Sequence, residues 1–181
     1  VRERVHEALG KAIAGKTVSG LADNGSTIAP TGSTQPDGTV GISVTSKTAG
    51  MSAVTASINR SCQSRNVTLI ADVRTAKLAG LVVIKDDAVA DGASANILRA
   101  RVTDAFGNAL AGQTVSVTAG NGATVAPTAI TGPDGTVEIS VTSQTAGVSA
   151  VTASINNRTP SRNVTFAPDF RPGPLDRQGV V

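Results

Sequence analysis

One stretch of alternating apolar and polar residues occurs twice in the chain, at 36–59 and 133–156, with only three of its 24 positions changed. In the second occurrence the apolar residues fall at every other position of two runs: Val137, Ile139 and Val141, then Val151, Ala153 and Ile155. An Asp-Gly pair, typical of a hairpin turn, precedes the first run, and a Thr-Ala-Gly break separates the two. The stretch therefore predicts two strands, each with one apolar face.

The repetition extends well beyond this stretch. Leu9 aligns with Phe106, and the resulting offset of 97 residues holds without a gap from 9–78 against 106–175. A gapless period of this length indicates duplicated structural units. Copy one has no counterpart of residues 81–97, so we expect it to lack its first strand and part of its second. That loss would leave an unpaired edge and an uncovered core face.

In the complete copy, the alternation and the turn residues predict about seven strands. They lie at 81–85, 96–103, 114–118, 123–126, 136–143, 148–155 and 161–166. Ile97, Ala100 and Val102 are candidates for the buried face of the second strand, and Val164 and Phe166 for that of the last. Strands of this number and spacing are typical of an antiparallel β-sandwich, so the fold class is all-β with two tandem sandwiches.

These strands set the predicted domain boundaries. The predicted segments are an incomplete sandwich over 1–72, a short linker over 73–80, a complete sandwich over 81–167 and an extended or disordered tail over 168–181. The chain starts at Val1 without the apolar segment of a secretory signal, and we expect either a fragment of a longer protein or an unusual start.

Copy one also differs from copy two inside its core. Gly20 stands where copy two has Val117, which empties an inward position, and the next residue, Leu21, would point to solvent. Loss of a Val-sized side chain from a core typically costs about 1–3 kcal/mol. We therefore expect copy one to be the less stable domain.

Composition excludes several classes of function. The net charge of +3 comes from 16 basic and 13 acidic residues that are spread thinly, and the only aromatic residues are three phenylalanines. Without basic runs or aromatic platforms, the sequence predicts no nucleic-acid binding. No window approaches 18 consecutive apolar residues, so no direct membrane insertion is expected either.

Few residues have side chains suited to catalysis. His6 is the only histidine, which rules out a histidine-based triad or a multi-histidine metal site and leaves an ordinary surface residue or a pH sensor. Cys62 is the only cysteine, so it cannot form an internal disulfide, and in a polar turn it is expected to be an exposed thiol. No nucleophile, base and orienting group occur in matched positions, so we predict no enzyme and no catalytic residue.

Three other features are candidates for binding sites. Asp86, Asp87 and Asp91 cluster in a turn where calcium is conceivable, but a solvated turn is the favoured interpretation. The Gly-rich segments 119–122 and 131–135 lack the lysine and helix of a phosphate loop. N-glycosylation sequons, a pattern frequent by chance, occur at Asn24, Asn59, Asn66, Asn157 and Asn163. The sequence thus predicts no metal and no cofactor.

Two motifs and the closing VTASIN run carry a family resemblance. The motifs are VTDAFGNALAGQTVSV at 102–117 and TGPDGTVEISVTSQTAG at 131–147. They resemble the bacterial Ig-like domain, group 1, that is repeated in the extracellular part of invasin/intimin-type outer-membrane adhesins. The resemblance covers 81–166 fully and 5–69 partly. It implies Ig-like sandwiches that form one segment of a stalk on the bacterial surface.

The resemblance yields three hypotheses about function. The first is a structural spacer in a cell-adhesion protein, whose partners are neighbouring Ig-like repeats of a parent adhesin. The second is a binding module whose loops contact a host-cell surface protein or glycan, although the loops offer few aromatic or arginine anchors. The third is a non-functional fragment of a larger adhesin gene. The cysteine pair of the lectin-like tip domain in this family has no counterpart here, since Cys62 is alone.

Overall fold

The structure, a computed structural model, describes residues 1–5 and 10–170 of the chain. The chain divides into two compact units, Val1–Ala71 and Asp72–Val181. Within the described ranges the regular elements are strands, apart from a single turn of 3-10 helix at Val73–Thr75. No helix in that part of the chain has the length and hydropathy to cross a bilayer. The predicted all-β class with tandem Ig-like sandwiches is confirmed.

In its described residues, 1–5 and 10–71, the first unit contains eight strands. They are β1 (Arg2–Arg4), β2 (Thr17–Ala22), β3 (Thr27–Ile28), β4 (Thr31–Ser33), β5 (Thr39–Gly41), β6 (Val44–Thr45), β7 (Gly50–Ile58) and β8 (Ser61–Leu69). Four of them form a sheet in the order β4-β2-β7-β8, while β1 pairs only with β5 and β3 only with β6. A small buried cluster of Val18, Val40 and Ala56 lies at the centre of the unit.

Up to Phe170, where its described part ends, the second unit contains nine strands in two sheets. They are β9 (Lys77–Lys85), β10 (Ala88–Val89), β11 (Ala95–Thr103), β12 (Thr114–Ala119), β13 (Thr124–Val125), β14 (Thr128–Ile130), β15 (Thr136–Thr142), β16 (Gly147–Ser154) and β17 (Ser161–Ala167). The sheet orders are β10-β17-β16-β12-β14 and β13-β15-β11-β9. All seven predicted strands are present, and the short strands β10 and β14 are additional.

The core of the second unit is drawn from both sheets. Its fully buried side chains include Leu98, Val102 and Val141 from one sheet and Val115, Val151, Val164 and Phe166 from the other. Of the predicted core positions in the repeated stretch, Val137 and Ile155 are only half-buried. These two residues lie near strand ends, where the facing sheet covers them less completely.

The first strand of this unit is longer than the sequence predicted. β9 begins at Lys77, so residues 77–80 lie in the sheet and not in the linker. Leu78 and Leu81 are both buried although they are three residues apart. A bulge allows this, because Val102 pairs with Leu78 and Arg101 with Gly80, so that Ala79 is an extra residue. The bulge hides the alternation that identifies a strand in the sequence.

The buried face of β11 also differs from the prediction. Ala100 and Val102 are buried as expected, but Ile97 is half-buried, and the buried face begins instead with Asn96 and Leu98. A register shift between Ile97 and Leu98 marks a second irregularity in the pairing with β9. Since side chains alternate along a strand, Ile97 shares a face with the exposed arginines of β11.

Gly20 is buried and Leu21 is 73% exposed, as the sequence predicted. The inward position is not simply empty, however. A Cβ added to Gly20 would lie 2.9 Å from Cδ1 of Ile28. Copy two has Val125 at the position of Ile28, so the longer side chain in copy one reaches into space that Val117 occupies in copy two.

Candidate functional site

The two residues singled out for their chemistry are Cys62 and His6, and the structure describes only Cys62. Cys62 is exposed and lies within β8, opposite Ser57 on β7, and not in a turn. The strand continues closer to the hairpin in copy one than in copy two, where β17 begins only at Ser161. His6 lies outside the described residues.

The acidic cluster stabilises a turn. Asp91 accepts hydrogen bonds from the backbone N–H groups of Ala93 and Ser94, at 2.8 and 2.6 Å. Asp86 accepts one from the backbone N–H of Thr165, at 2.7 Å. Asp87 adopts a positive φ of 60°, which Asp tolerates in turns. In the part of the chain that the structure describes, no group of three His, Cys, Asp or Glu side chains is arranged to hold a metal ion.

The sequon asparagines and the Gly-rich segments have structural roles. Asn24, Asn59 and Asn157 lie at positive-φ positions of tight turns, whereas Asn66 and Asn163 lie in strands. In the Gly-rich segments, Gly122 and Gly135 also have positive φ. Turn geometry therefore accounts for these residues.

A buried asparagine ties the start of the second unit to its last strand. Asn96 is completely buried on the core face of β11. Its Oδ1 accepts a hydrogen bond from the backbone N–H of Ala88 on β10, at 2.9 Å. Its Nδ2 donates to the backbone carbonyl of Thr165 on β17, at 2.8 Å. Because an unpaired buried polar group is costly, this side chain specifies that β10 and β17 lie side by side.

β10 and β17 are parallel strands near the two ends of the unit. Ala88 lies opposite Phe166 and Val89 opposite Ala167. The backbone N–H of Ala90 extends the contact by donating to the carbonyl of Ala167 at 2.8 Å. We call this arrangement, with Asn96 bridging it, the terminal clamp. It joins the short segment between β9 and β11 to β17, the last strand of the unit.

A second buried polar side chain anchors the segment between the units. Asp104 is only 1% exposed. Its carboxylate accepts hydrogen bonds from the backbone N–H groups of Phe106 and Asn108, each at 2.9 Å, and from Asn108 Nδ2 at 2.8 Å. It also accepts one from the backbone N–H of Asp72 at 3.2 Å. Asp104 thus fixes both its own loop and the first residue of the unit.

The electrostatics of Asp104 follow from this environment. Burial acts to raise the pKa of Asp104, but the hydrogen bonds from Asn108, Asp72 and Phe106 outweigh it, so the pKa lies below its ordinary value of 3.8. Thr75 reinforces the same junction, because its Oγ1 accepts a hydrogen bond from the backbone N–H of Ala105 at 3.0 Å. The residues that precede β9 are therefore held against the second unit.

Sequence reasoning missed both Asn96 and Asp104. For Asn96 a signal existed, since it is in register with Leu98, Ala100 and Val102 on one face of the strand. A polar residue on an otherwise apolar face marks a buried hydrogen-bonding group. For Asp104 the cue was weaker, because an aspartate after a strand is common in ordinary turns.

The family comparison agrees with this architecture. Residues 78–167 match the family model of the bacterial Ig-like domain (group 1). No curated protein matches the chain in sequence.

Several solved structures are similar to the chain. InvD of Yersinia pseudotuberculosis aligns at a TM-score of 0.67 and 18% identity, over 93% of this chain and 52% of that one. Invasin, described as a bacterial integrin-binding protein, aligns at 0.49 and 25%, over 93% and 35%. The D0-D1 domain of intimin aligns at 0.47 and 23%, over 91% and 87%. This chain thus spans about half of the InvD chain and about a third of the invasin chain.

The likeness to InvD shows a shared fold. The matched segment 78–167 runs from the first strand of the second sandwich to its last, β17. The 97-residue repeat extends the same sequence pattern into the first unit. Residues 78–167 therefore form a domain of the bacterial Ig-like domain (group 1) family.

Proposed function

We propose that the chain is a spacer segment in the stalk of an invasin/intimin-like bacterial surface adhesin, where it transmits tension and catalyses no reaction. The observation that carries the proposal is the terminal clamp of the second unit. The clamp joins the last strand of the sandwich to the segment that follows its first strand, so a force along a stalk acts across the clamp once β9 is extended.

The direction of the clamp strands matters for resistance to tension. The chain enters the unit through β9, continues into β10 and leaves after β17, and β10 and β17 run parallel. Once β9 has been pulled away from β11, tension applied to the two ends pulls β10 and β17 past each other along their own axes. The backbone hydrogen bonds between them and the two bonds of Asn96 are then loaded together, so they resist jointly and do not open one after another.

The segment between the units supports the same role. β8 ends at Leu69, and Asp72 is already held by Asp104 of the second unit. Only Ile70 and Ala71 lie between these two fixed points. A connection this short limits the independent swing of neighbouring domains, as a stalk requires.

The proposed setting is the bacterial cell surface, outside the outer membrane, with neighbouring Ig-like repeats of a parent adhesin as partners. Invasin is described as an integrin-binding protein. For this chain, contact with a host protein or glycan is assigned to other parts of the parent protein.

Single-molecule stretching of the full chain through its two ends tests the proposal. Replacement Asn96→Ala leaves the buried N–H of Ala88 and the carbonyl of Thr165 without their partner, which costs about 1–3 kcal/mol. We expect the unfolding force of the second unit to fall clearly in this variant, because the lost bonds lie in the clamp.

Ile139→Val is the matched control. It removes one methylene from the buried residue on β15 and costs about 0.5–1.5 kcal/mol without touching the clamp. Its unfolding force should stay near that of the wild type. Equal losses of force per unit of lost stability in the two variants would show that the clamp has no special role in bearing tension, and the spacer proposal would lose its support.

A further inference from the structure

Strand β9 lies at the edge of its sheet. It pairs with β11, and no other described strand pairs with it. The ladder between β9 and β11 contains two register shifts, one between Ile97 and Leu98 and one between Arg101 and Val102. The ladder on the other side of β11, to β15, keeps one register throughout. Because a register shift interrupts the regular hydrogen bonding of a ladder, β9 is joined to its own sheet less continuously than β15 is.

The buried part of β9 is also small. Leu78 and Leu81 are its buried side chains, whereas Val82 is 53% and Ile84 47% exposed. Strand β16 of the other sheet, in contrast, lies between two neighbouring strands, β12 and β17. Since apolar burial is the main stabilising contribution, release of β9 alone costs far less than unfolding of the whole sandwich.

Two side chains hold β9 in place besides the ladder with β11. Asn156 Nδ2 donates a hydrogen bond to the carbonyl of Ala76, the residue before β9, at 2.9 Å. Arg162 Nε donates to the carbonyl of Leu81, also at 2.9 Å. Both donors belong to the hairpin of β16 and β17, which lies in the other sheet. We call these two hydrogen bonds the latch.

The latch and the terminal clamp follow one another along β17. Residues 81, 86 and 88 contact residues 162, 165 and 166, in that order. The chain from β9 to β10 therefore runs beside β17 in the same direction. Up to Asp86 only hydrogen bonds that involve a side chain make this connection, and from Ala88 onwards the two strands pair through their backbones. The latch can therefore break while the clamp stays closed.

We propose that β9 is a strap that opens and closes as a separate unit, held shut by the latch, while the terminal clamp keeps the remainder of the sandwich folded. Opening breaks the ladder with β11 and both latch bonds, and it brings Leu78 and Leu81 into water. In a stalk under tension, a consequence that rests on the proposed function, the strap yields before the clamp and docks again when the tension falls.

Native-state hydrogen exchange of the full chain, measured in low concentrations of urea, tests this proposal. We expect the backbone amides of β9 that bond to β11 to exchange faster than those of β16. Their exchange should also depend less on urea, because opening the strap exposes less surface than unfolding the unit. Equal protection and equal urea dependence in the two strands would overturn the proposal.

Arg162→Met tests the latch, since it removes the guanidinium and keeps the apolar stem. The native state loses one latch bond, and every open state has already lost it. Exchange should therefore become about tenfold faster in β9 and in β16 alike. Asn156→Gly suits the positive φ at this position and removes the uncharged bond, so β9 should exchange about threefold faster. Unchanged exchange of β9 in Arg162→Met would show that no latch exists.

Ile139→Val is the matched control. It weakens the core on β15, which pairs with β11 and β13 but not with β9, so the packing of Ile139 persists when the strap is open. Exchange should become about fivefold faster in β16 and stay unchanged in β9. An equal increase in both strands would mean that β9 opens only with the whole unit, which would overturn the proposal. Because exchange is measured without tension, its outcome is independent of the stretching experiment.

Discussion

The two copies contain nearly the same strand and fold it differently. Thr136–Thr142 forms the continuous strand β15, whereas the matching segment 39–45 breaks into β5 and β6, although only Gly41 and Glu138 differ between them. β15 is held between β13 and the nine-residue β11. In copy one the neighbours are β1 and β3, with three and two residues. The length of a strand here depends on its neighbours as well as on its own sequence.

The strand residues of copy one are also less buried than their counterparts in copy two. In copy two, four strand residues are buried: Ile139, Val141, Val164 and Phe166. Their counterparts are only half-buried: Ile42, Val44, Val67 and Leu69. Because these pairs are identical or similar in type, the deficit comes from the absent cover and not from the residues themselves. A missing strand thus weakens contacts on both sheets of a sandwich.

Hydrogen exchange should show the largest effect of this difference. Half-burial of four apolar side chains forfeits about 3 kcal/mol relative to full burial. We therefore expect backbone amides of β7 to exchange about a hundredfold faster than those of β16, which occupies the same position in copy two. Equal protection of the two strands would contradict the conclusion that copy one is the less stable unit.

Much of the fold could be predicted from the sequence, for reasons that particular residues make clear. The alternation in 136–142 and 147–154 identifies strands because one face is apolar and the other polar. Residues 77–80 lack this signal, because a bulge at Ala79 places Leu78 and Leu81 on the same face at an odd spacing. Asn96 was missed because a polar residue on a core face depends on partners distant in sequence, Ala88 and Thr165, for its role.

A double substitution in copy one can reduce the difference in stability between the two copies. Gly20→Val together with Ile28→Val recreates the pair Val117 and Val125 of copy two. The second change is needed because a side chain at Gly20 would contact Ile28 Cδ1. We expect the double variant to stabilise the first unit by about 1 kcal/mol, since it replaces a strand glycine and fills the core. Urea denaturation of the full chain measures the change in the first transition.

The single variant Gly20→Val serves as the control for this design. It forces Ile28 to move, so its gain should be smaller than that of the double variant. An equal or larger gain from Gly20→Val alone would show that Ile28 does not fill the space at Gly20.

Lowering the pH should have the smallest effect on the stability of the two units. Its effect separates a turn that both copies contain from a loop whose sequence differs between the copies. Asp37 and Asp134 each have a lowered pKa, chiefly because the hydroxyl of the following threonine, Thr39 or Thr136, donates a hydrogen bond to the carboxylate. The two turns differ only by an exposed ion pair between Asp37 and Arg2, which contributes little, so acid should weaken them by similar amounts in the two units. Asp104 is different, because copy one has Glu7 at its position and Lys11 at that of Asn108.

The pKa of Asp104 is lowered on folding, so its ionised form stabilises the second unit above the ordinary value of 3.8, and this contribution is lost as the pH falls through the folded pKa. Between pH 5 and about pH 2, where aspartates become protonated, we expect the urea midpoint of the second unit to fall. In Asp104→Asn the fall should be smaller, because no carboxylate remains to be protonated there, and stability at pH 5 should already be reduced. A pH dependence identical to that of the wild type would mean that the buried loop at Asp104 contributes nothing to the difference between the two copies.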